Sequence, residues 1–368
     1  MSERIKIAVI GLGYWGPNLV RALHDVEEAE VAWICDLDTE ALQKIGRRYP
    51  AVRRTADLEE VLADDNVDAV AIATPVSTHF PLAKRALDAG KHVFVEKPLA
   101  ASAAEAVALA DLADSRQLVL MPGHTFVYSP PVQTIRGLLE SGVLGDIYFI
   151  SSSRVNLGLH QPDVSVVWDL GPHDFSILRY WLQETPTHVA GTSRSCIIPG
   201  TPDVAFINLH FASETVAQVE LSWLAPSKLR RTTIVGSRKM VVYDDTSNEP
   251  VRVFDSGVMI PAPSTFGEYK LSYRTGDIVS PHVSAEEPLG VEMADFCSAI
   301  LTGSTPKSSA QLGVEVVKMI EAVDTSFSRQ GRRVRVDAAR GVAAPATGTR
   351  ARPTLRRPRG RQAPALPA

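Results

Sequence analysis

Apolar runs in the first third of the chain alternate with amphipathic segments. The runs IKIAVI, EVAWICD, VDAVAIAT, KHVFVEKP and LVLMPGH are short and largely apolar, as expected for strands buried on both faces of a parallel sheet. Helical patterns separate several of them, including DTEALQKIGRRY, PLAKRALDAG and AAEAVALADLADSR. Strands that alternate with helices favour right-handed βαβ crossovers. We therefore predict an α/β fold that begins with a doubly wound, Rossmann-type parallel sheet over residues 1–124.

The pattern changes after Gly145, where segments typical of strands follow one another with turn residues between them. These segments are DIYFISSSRVN, THVAGTSRSC, VAFINLHFAS, TVAQVELSWL, RRTTIVGS and KMVVYDD. Helical periodicity is confined to DLGPHDFSILRYWL, EPLGVEMADFCSAIL and SAQLGVEVVKMIEAVDTSFS. Successive strands favour antiparallel pairing. We predict a second α/β domain over residues 125–339, built on a mostly antiparallel sheet.

Composition narrows the class of protein. The chain has 368 residues, of which 45% are hydrophobic and 22% charged, as in an ordinary globular protein of two domains. A formal net charge of -4 gives no reason to expect a nucleic-acid partner. No apolar run of about 18 residues occurs, so we expect no membrane span. Three cysteines without metal-site spacing predict a cytoplasmic protein with no structural metal.

Residues 340–368 have a different composition from the rest of the chain. They are rich in alanine and proline, carry seven arginines and contain no acidic residue. Such a segment cannot bury a core, so we predict that it is disordered. A basic arm that contacts nucleic acid is an alternative reading of the same composition.

The first motif with chemical meaning is GLGYWG at residues 11–16. It is a G-x-G-x-x-G sequence between a predicted strand and a predicted helix. Gly11 makes the tight turn, Gly13 lets a pyrophosphate approach the backbone, and Gly16 allows close packing of helix and strand. Asp36 follows at the end of the second strand, where an acid accepts hydrogen bonds from ribose hydroxyls and repels a 2′-phosphate. The motif therefore predicts NAD rather than NADP as the cofactor.

Further cofactor contacts are expected from the carboxyl ends of the other parallel strands, because ligands bind at that edge of a doubly wound sheet. Thr74, Pro75 and His79 follow the third strand, and His124 ends the fifth. The full set of cofactor-binding candidates is Gly11, Gly13, Tyr14, Trp15, Gly16, Asp36, Thr74, Pro75, His79, Glu96, Lys97 and His124.

Two motifs supply candidates for catalysis. Glu96, Lys97 and Pro98 end a predicted strand, and the lysine there can hold a sugar hydroxyl by a charge-assisted hydrogen bond. In DLGPHD, His173 titrates near neutrality and can take a proton from an alcohol as hydride leaves. Asp169, one helical turn earlier, can orient that histidine or bind a neighbouring hydroxyl. We expect DLGPHD to open a helix and interpret Asp174 as an acid at its start. The alternatives are a surface salt bridge for the lysine and a packing role for the histidine.

Taken together, GLGYWG, Asp36, TPVSTH, EKP and WDLGPHD resemble the glucose-fructose oxidoreductase/inositol dehydrogenase (GFO/IDH/MocA) family over about residues 4–335. The resemblance implies a Rossmann domain and an α/β domain whose large open sheet packs against its copy in dimers or tetramers. It also implies a cis Lys97–Pro98 bond and a lysine that touches nicotinamide and substrate. His173 would be the general acid/base, with Asp169 as its acid. Ser176 stands where the longer family motif has an aspartate, which leaves that second acid without a counterpart.

Within the family, the chain is most similar to nucleotide-sugar 3-dehydrogenases that act on UDP-N-acetylglucosamine or its uronate. The segments GHTFVYSP, SRVNLG, VWDLGPHDFSIL, LRRTTIVGSRKMVVYDD and YRTGDIVSP carry this similarity. It implies a small-molecule sugar substrate and adds three substrate-facing candidates to Lys97, Asp169 and His173. They are Arg154, which could hold a carboxylate or a diphosphate, Asn156 and Tyr273.

The activity that the resemblance implies is NAD-dependent oxidation of a sugar hydroxyl to a ketosugar, at C3 of a nucleotide-linked hexose. His173, or a relay of Lys97 and His173, would remove the hydroxyl proton, and Lys97 would stabilise the developing alkoxide. Three alternatives stay open. They are an NADPH-dependent ketoreductase of deoxysugar biosynthesis, a dehydrogenase of inositol or another free sugar, and a regulatory module that senses NAD without catalysis.

Overall fold

A computed structural model of the chain describes residues 4–158, 160, 164–259 and 271–336. The predicted disordered tail at residues 340–368 lies outside the described residues. Residues 1–338 belong to one compact unit. The predicted boundary at residue 124 follows the last strand of the first sheet, and it stays a prediction.

The first sheet contains six described strands, all parallel, in the order β3-β2-β1-β4-β5-β6. They are β1 (Ile5–Ile10), β2 (Ala29–Cys35), β3 (Arg53–Thr55), β4 (Ala69–Ile72), β5 (His92–Glu96) and β6 (Leu120–Gly123). The five apolar runs correspond to β1, β2, β4, β5 and β6. The prediction of a doubly wound parallel sheet is therefore confirmed.

Helices connect these strands and cover the sheet. They are α1 (Gly16–Asp25), α2 (Thr39–Arg48), α3 (Leu58–Leu62), α4 (His79–Asp88) and α5 (Ala103–Ser115). The capping residue of α2 is Asp38, whose side chain accepts the backbone N–H groups of Glu40 and Ala41. The carboxyl ends of β1, β4, β5 and β6 lie side by side. The glycine loop and the segments after residues 72, 96 and 123 therefore share one edge of the sheet.

The second sheet is built from nine described strands in the order β14-β13-β12-β11-β7-β10-β9-β8-β15. They are β7 (Ile147–Leu157), β8 (His188–Arg194), β9 (Val204–His210), β10 (Val216–Ser222), β11 (Leu224–Gly236), β12 (Met240–Asp244), β13 (Val251–Met259), β14 (Ser272–Val279) and β15 (Val334–Arg335). Within this described sheet, β7 and β10 pair in parallel and the other neighbours pair antiparallel. The prediction of a mostly antiparallel sheet is confirmed.

The described residues of this half of the chain form four α-helices: α6 (Pro130–Glu140), α7 (Val166–Leu182), α8 (Pro288–Thr302) and α9 (Ala310–Ser328). Phe175 and Trp181 of α7 are buried in the core beside the sheet. On β7, the side chains of Ser152 and Arg154 face the same side as the buried Ile150. Helix α7 therefore packs over a sheet face that carries polar groups. No described helix combines the length and the apolar character needed to cross a membrane.

Candidate active site

The glycine loop leaves open space at the point where the pyrophosphate of a dinucleotide would approach the protein backbone. Gly11 has a φ of +89°, and a Cβ there would lie 2.6 Å from the carbonyl oxygen of Ala73. A Cβ on Gly16 would collide with the carbonyl oxygen of Gly11. At Gly13, by contrast, a Cβ would meet no atom of the described chain within 4 Å. The open space above Gly13, at the N-terminus of α1, fits a bound pyrophosphate.

Asp36 is fixed beside this loop. Its Oδ2 accepts the backbone N–H of Leu12 at 2.5 Å, and its Oδ1 accepts that of Asp38 at 2.8 Å. An ionised carboxylate has about four lone-pair sites, so the partly exposed side chain keeps acceptors for ribose hydroxyls. Tyr14 is 92% exposed and Trp15 is partly buried. The geometry agrees with the predicted role of Asp36.

The segment after β4 is held by His79. This residue is 1% exposed, and its Nδ1 and Nε2 lie 2.8 Å and 2.9 Å from the carbonyl oxygens of Pro98 and Thr74. Burial and the charge of Lys97 lower the pKa of His79. His79 therefore joins the segment after β4 to the segment after β5, whereas the neighbouring Pro75 is exposed.

Lys97, which follows β5 of the first sheet, is hydrogen-bonded to α7 of the second half at the centre of the site. The Lys97–Pro98 bond is cis, as predicted. The lysine Nζ donates to the carbonyl oxygen of Asp169 at 2.8 Å and to its Oδ1 at 3.1 Å. The other carboxylate oxygen of Asp169 accepts Nε1–H of Trp223 at 3.1 Å. Asp169 thus binds Lys97, a contact that the sequence did not predict; its role in orienting His173 or binding a neighbouring hydroxyl stays a prediction.

His173 presents an imidazole that can accept a proton. Its ring packs edge-on against Phe126, with the centroids 4.9 Å apart, and its buried Nδ1 has no hydrogen-bond partner in the described part of the chain. Burial lowers the pKa of His173 well below its usual value, and the charges of Lys97 and Arg154 lower it further. The imidazole is therefore neutral at neutral pH.

Three further polar groups lie close to Lys97 or to its neighbour Glu96. Both ring nitrogens of His124 are buried and lack a hydrogen-bond partner among the described residues, and burial lowers the pKa of this histidine to about 3. Burial raises the pKa of the half-buried Glu96 to about 8. Sequence reasoning missed Glu292 of α8, whose Oε2 accepts the hydroxyl of Thr125 at 2.7 Å. The sequence did offer one indication of this buried residue, because Glu292 interrupts the largely apolar segment GVEMADF of α8.

Arg154 and Asn156 lie on the same face of β7, two residues apart. Arg154 is 4% exposed, and its Nε donates to Oδ2 of Asp174 at 2.5 Å. The interpretation of Asp174 as an acid at a helix start is wrong, because α7 begins at Val166 and Asp174 lies in its interior. DLGPHD therefore lies within the helix, and Asp174 is the buried partner of Arg154.

Tyr273 is a substrate-binding candidate that lies far from Arg154 in the structure. It lies on β14 at the sheet edge and is 75% exposed. Strands β13, β12 and β11 separate β14 from β7, which carries Arg154. Neighbouring strands are about 4.8 Å apart, so this order keeps Tyr273 on the order of 20 Å from β7 within one chain.

A dinucleotide-binding sheet whose Lys97 lies beside an aspartate and a neutral histidine of α7 is the arrangement expected of an NAD-dependent oxidoreductase. Residues 5–124 match the oxidoreductase family with an NAD-binding Rossmann fold (GFO_IDH_MocA), and residues 132–242 match the GFO/IDH/MocA C-terminal domain. The chain belongs to the GFO/IDH/MocA family. The fold, the enzyme class and NAD as cofactor are thereby confirmed.

Individual relatives differ in what their names say they act on. The 4-carboxy-2-hydroxymuconate-6-semialdehyde dehydrogenase of Sphingobium sp. is 36% identical over 352 residues, which cover 89% of this chain and 100% of that protein. The D-apiose dehydrogenase of Rhizobium rhizogenes is 31% identical over 231 residues, which cover 61% and 67%. The crystal structure of GenD2 from gentamicin A biosynthesis in complex with NAD is 26% identical, with a TM-score of 0.78, covering 92% of this chain and 98% of that one.

Proposed function

We propose that this protein uses NAD to oxidise a hydroxyl-bearing ring carbon of a sugar substrate, at C3 of a nucleotide-linked hexose such as UDP-N-acetylglucosamine or its uronate. The observation that carries the proposal is the pair of Lys97 and Asp169 beside the neutral His173. The name of the D-apiose dehydrogenase supports a sugar as substrate. The resemblance of the segments around Arg154 and His173 to nucleotide-sugar 3-dehydrogenases supports the finer assignment.

Each group has one task in this reaction. Bound NAD supplies the acceptor for the hydride that leaves the carbon. Lys97 donates a hydrogen bond to the substrate hydroxyl and stabilises the negative charge that develops on its oxygen. His173 accepts the hydroxyl proton, because its imidazole is uncharged at neutral pH. Asp169 and Trp223 keep Lys97 in place between the two sheets.

A second candidate substrate is a carboxylated semialdehyde. The relative that covers this chain over 352 residues is named for such a compound. A semialdehyde presents an H–C–O–H group only after water or an internal hydroxyl has added to its carbonyl. The same lysine and histidine can then remove the proton, so the chemistry of the site does not change.

The experiment that tests the proposal is NADH formation, followed at 340 nm, with purified protein. The panel contains UDP-N-acetylglucosamine, its uronate, inositol, D-apiose and 4-carboxy-2-hydroxymuconate-6-semialdehyde. The proposal expects NADH with at least one nucleotide sugar and a product lighter by two hydrogens in mass spectrometry. Activity with inositol or D-apiose alone would show that the substrate is a free polyol or sugar and not a nucleotide sugar. NADPH-dependent reduction alone would contradict the assigned direction and cofactor, and NAD binding without turnover would favour a regulator.

We further propose that the protein is a cytoplasmic homodimer or homotetramer that associates through the open face of its large sheet. That face carries exposed Phe149 and Phe206, on strands that also carry polar residues. Light scattering coupled to size exclusion should give a mass of two or four chains, and Phe206→Glu should lower it. A monomer at micromolar concentration would contradict this assembly.

A further inference from the structure

Arg154 is buried with most of its hydrogen-bonding capacity unused. Its side chain is 5% exposed, and its Nε makes the one hydrogen bond of the guanidinium to the described protein, on Asp174. The buried Nη1 has no partner among the described residues. A guanidinium carries five N–H donors, and a buried donor without a partner destabilises the protein, the more so when the group is charged. The described part of the chain supplies no acceptor for the buried Nη1 of Arg154, so a bound ligand is the expected source of one.

The free end of Arg154 lies near the reacting region of the site. Its Cζ is 4.6 Å from the centroid of the Phe126 ring, and the ring of His173 packs against the same phenyl group. Arg230 also approaches Phe126, at 5.7 Å, but its Nη1 is bonded to Asp245 at 3.1 Å. Of the two arginines, Arg154 is the one that retains a buried unbonded terminal nitrogen.

Positive charge surrounds His173 from several elements. The cations whose charges act on it are Lys97 at the end of β5, Arg154 on β7 and Arg230 on β11. The uncharged ring of His124 after β6 also faces it, and Asp169 on α7 is bonded to Lys97. These cations lower the pKa of His173 in addition to the effect of burial. An anion held at Arg154 would offset part of this effect.

We infer that Arg154 is a specificity-determining residue, whose terminal guanidinium nitrogens bind a carboxylate of the substrate beside the carbon that His173 serves. The inference rests on the proposed function of the same site. Two parallel N–H groups of a guanidinium match the two oxygens of a carboxylate. A phosphate has similar geometry and provides the second arm of the test.

Binding can be measured without turnover. The NADH-loaded full chain is titrated calorimetrically with matched ligands that share a ring: glucose, glucuronate and glucose 6-phosphate, then UDP-N-acetylglucosamine and its uronate. We expect each uronate to bind at least ten-fold more tightly than its neutral partner, which corresponds to about 1.4 kcal/mol. In Arg154→Met the ratio of the affinities for the uronate and for its neutral partner should fall towards one.

Controls separate recognition from folding. Arg154→Met leaves Asp174 buried without its partner, so the double variant Arg154→Met/Asp174→Asn removes the ion pair as a unit. Arg154→Lys keeps the charge but loses the bidentate fork, and it should lose most of the preference. Arg329→Met, at the exposed C-terminal cap of α9, should keep the wild-type ratio.

The outcomes distinguish this inference from the proposed function. Tight uronate binding that depends on Arg154 supports the carboxylate site even if no panel substrate is oxidised. If a neutral sugar is oxidised and the uronate binds no more tightly than its neutral analogue, the dehydrogenase activity is supported and the carboxylate site is overturned. Preference for glucose 6-phosphate alone, an unchanged ratio in the double variant, or no measurable uronate binding would also overturn it.

Discussion

At the residue scale, His173 combines the two properties that a general base needs at neutral pH. It is uncharged because burial and neighbouring cations lower its pKa, and one of its ring nitrogens is buried without a partner in the part of the chain described. Proton transfer by a positioned side chain contributes typically 10²–10⁴-fold to a rate. His173 lies on α7 and is not part of the glycine loop that marks the cofactor site.

His173→Ala should therefore lower kcat by about 100-fold or more and leave NAD affinity within about two-fold of wild type. Stopped-flow or steady-state absorbance at 340 nm measures kcat, and calorimetry with NAD measures the affinity for NAD. Loss of NAD affinity together with turnover would remove the case for a catalytic role.

The lowered pKa of His173 predicts the acidic side of the pH profile. The base must be uncharged, and protonation occurs only well below the usual histidine value of about 6.5. The kcat of the wild type should stay level as the pH falls from 8 to 6 and decline only in more acidic solution. A midpoint near 6.5 would show that the histidine in the enzyme–substrate complex is not depressed.

Asp36 allows a test of cofactor choice with an adjacent control. Asp36→Ser removes the acceptor for ribose hydroxyls and the charge that repels a 2′-phosphate, so the NAD-to-NADP ratio of kcat/KM should fall at least ten-fold. Asp38→Ser should leave the ratio unchanged, because serine also caps a helix and Asp38 serves α2. Equal ratios in both variants would count against Asp36 as the selective residue.

At the element scale, α8 brings a buried acid against the Rossmann half. Glu292 is fully buried and bonded to Thr125, and burial with the nearby Glu96 raises its pKa well above the usual value. The folded protein therefore keeps this carboxyl protonated at pH values where the unfolded chain ionises it. Stability from this group is full below about pH 4.5 and declines as the pH rises towards the folded pKa.

Glu292→Gln should abolish that decline, since the amide cannot ionise. The Tm of the variant relative to wild type should be about 2 °C or more higher at pH 9 than at pH 5, measured by calorimetry. Glu286→Gln, at an exposed position just before α8, should show no such trend. A constant difference between variant and wild type across this range would contradict a buried neutral carboxyl.

Elements that carry an apolar run were predictable from the sequence, and short or amphipathic ones were not. The strand β3 escaped prediction because its Arg53 and Arg54 are exposed, and α6 lies in a stretch that begins with two prolines. Strands β13 and β14 at the sheet edge were also missed. Their half-exposed positions give no continuous apolar run, as Ile278 and Val279 show.

At the scale of the whole molecule, the site depends on how two sheets meet. Lys97 comes from the edge of the parallel sheet and Asp169 from the helix that covers the large sheet, so their contact joins the two halves of the unit. Motifs predicted both residues, because each has a recognisable local sequence. The order of nine strands has no such local signature, which is why Tyr273 was grouped with residues that lie several strands away.

The proposed function requires Lys97 to act directly on a hydroxyl that NAD oxidises. The most direct test compares NADH formation at 340 nm by wild type and Lys97→Met, using the panel substrate with the highest rate and NAD affinity measured in parallel. We expect NADH formation by the wild type and a loss of about 100-fold or more in kcat in the variant, with NAD still bound. Turnover by Lys97→Met at the wild-type rate would contradict it.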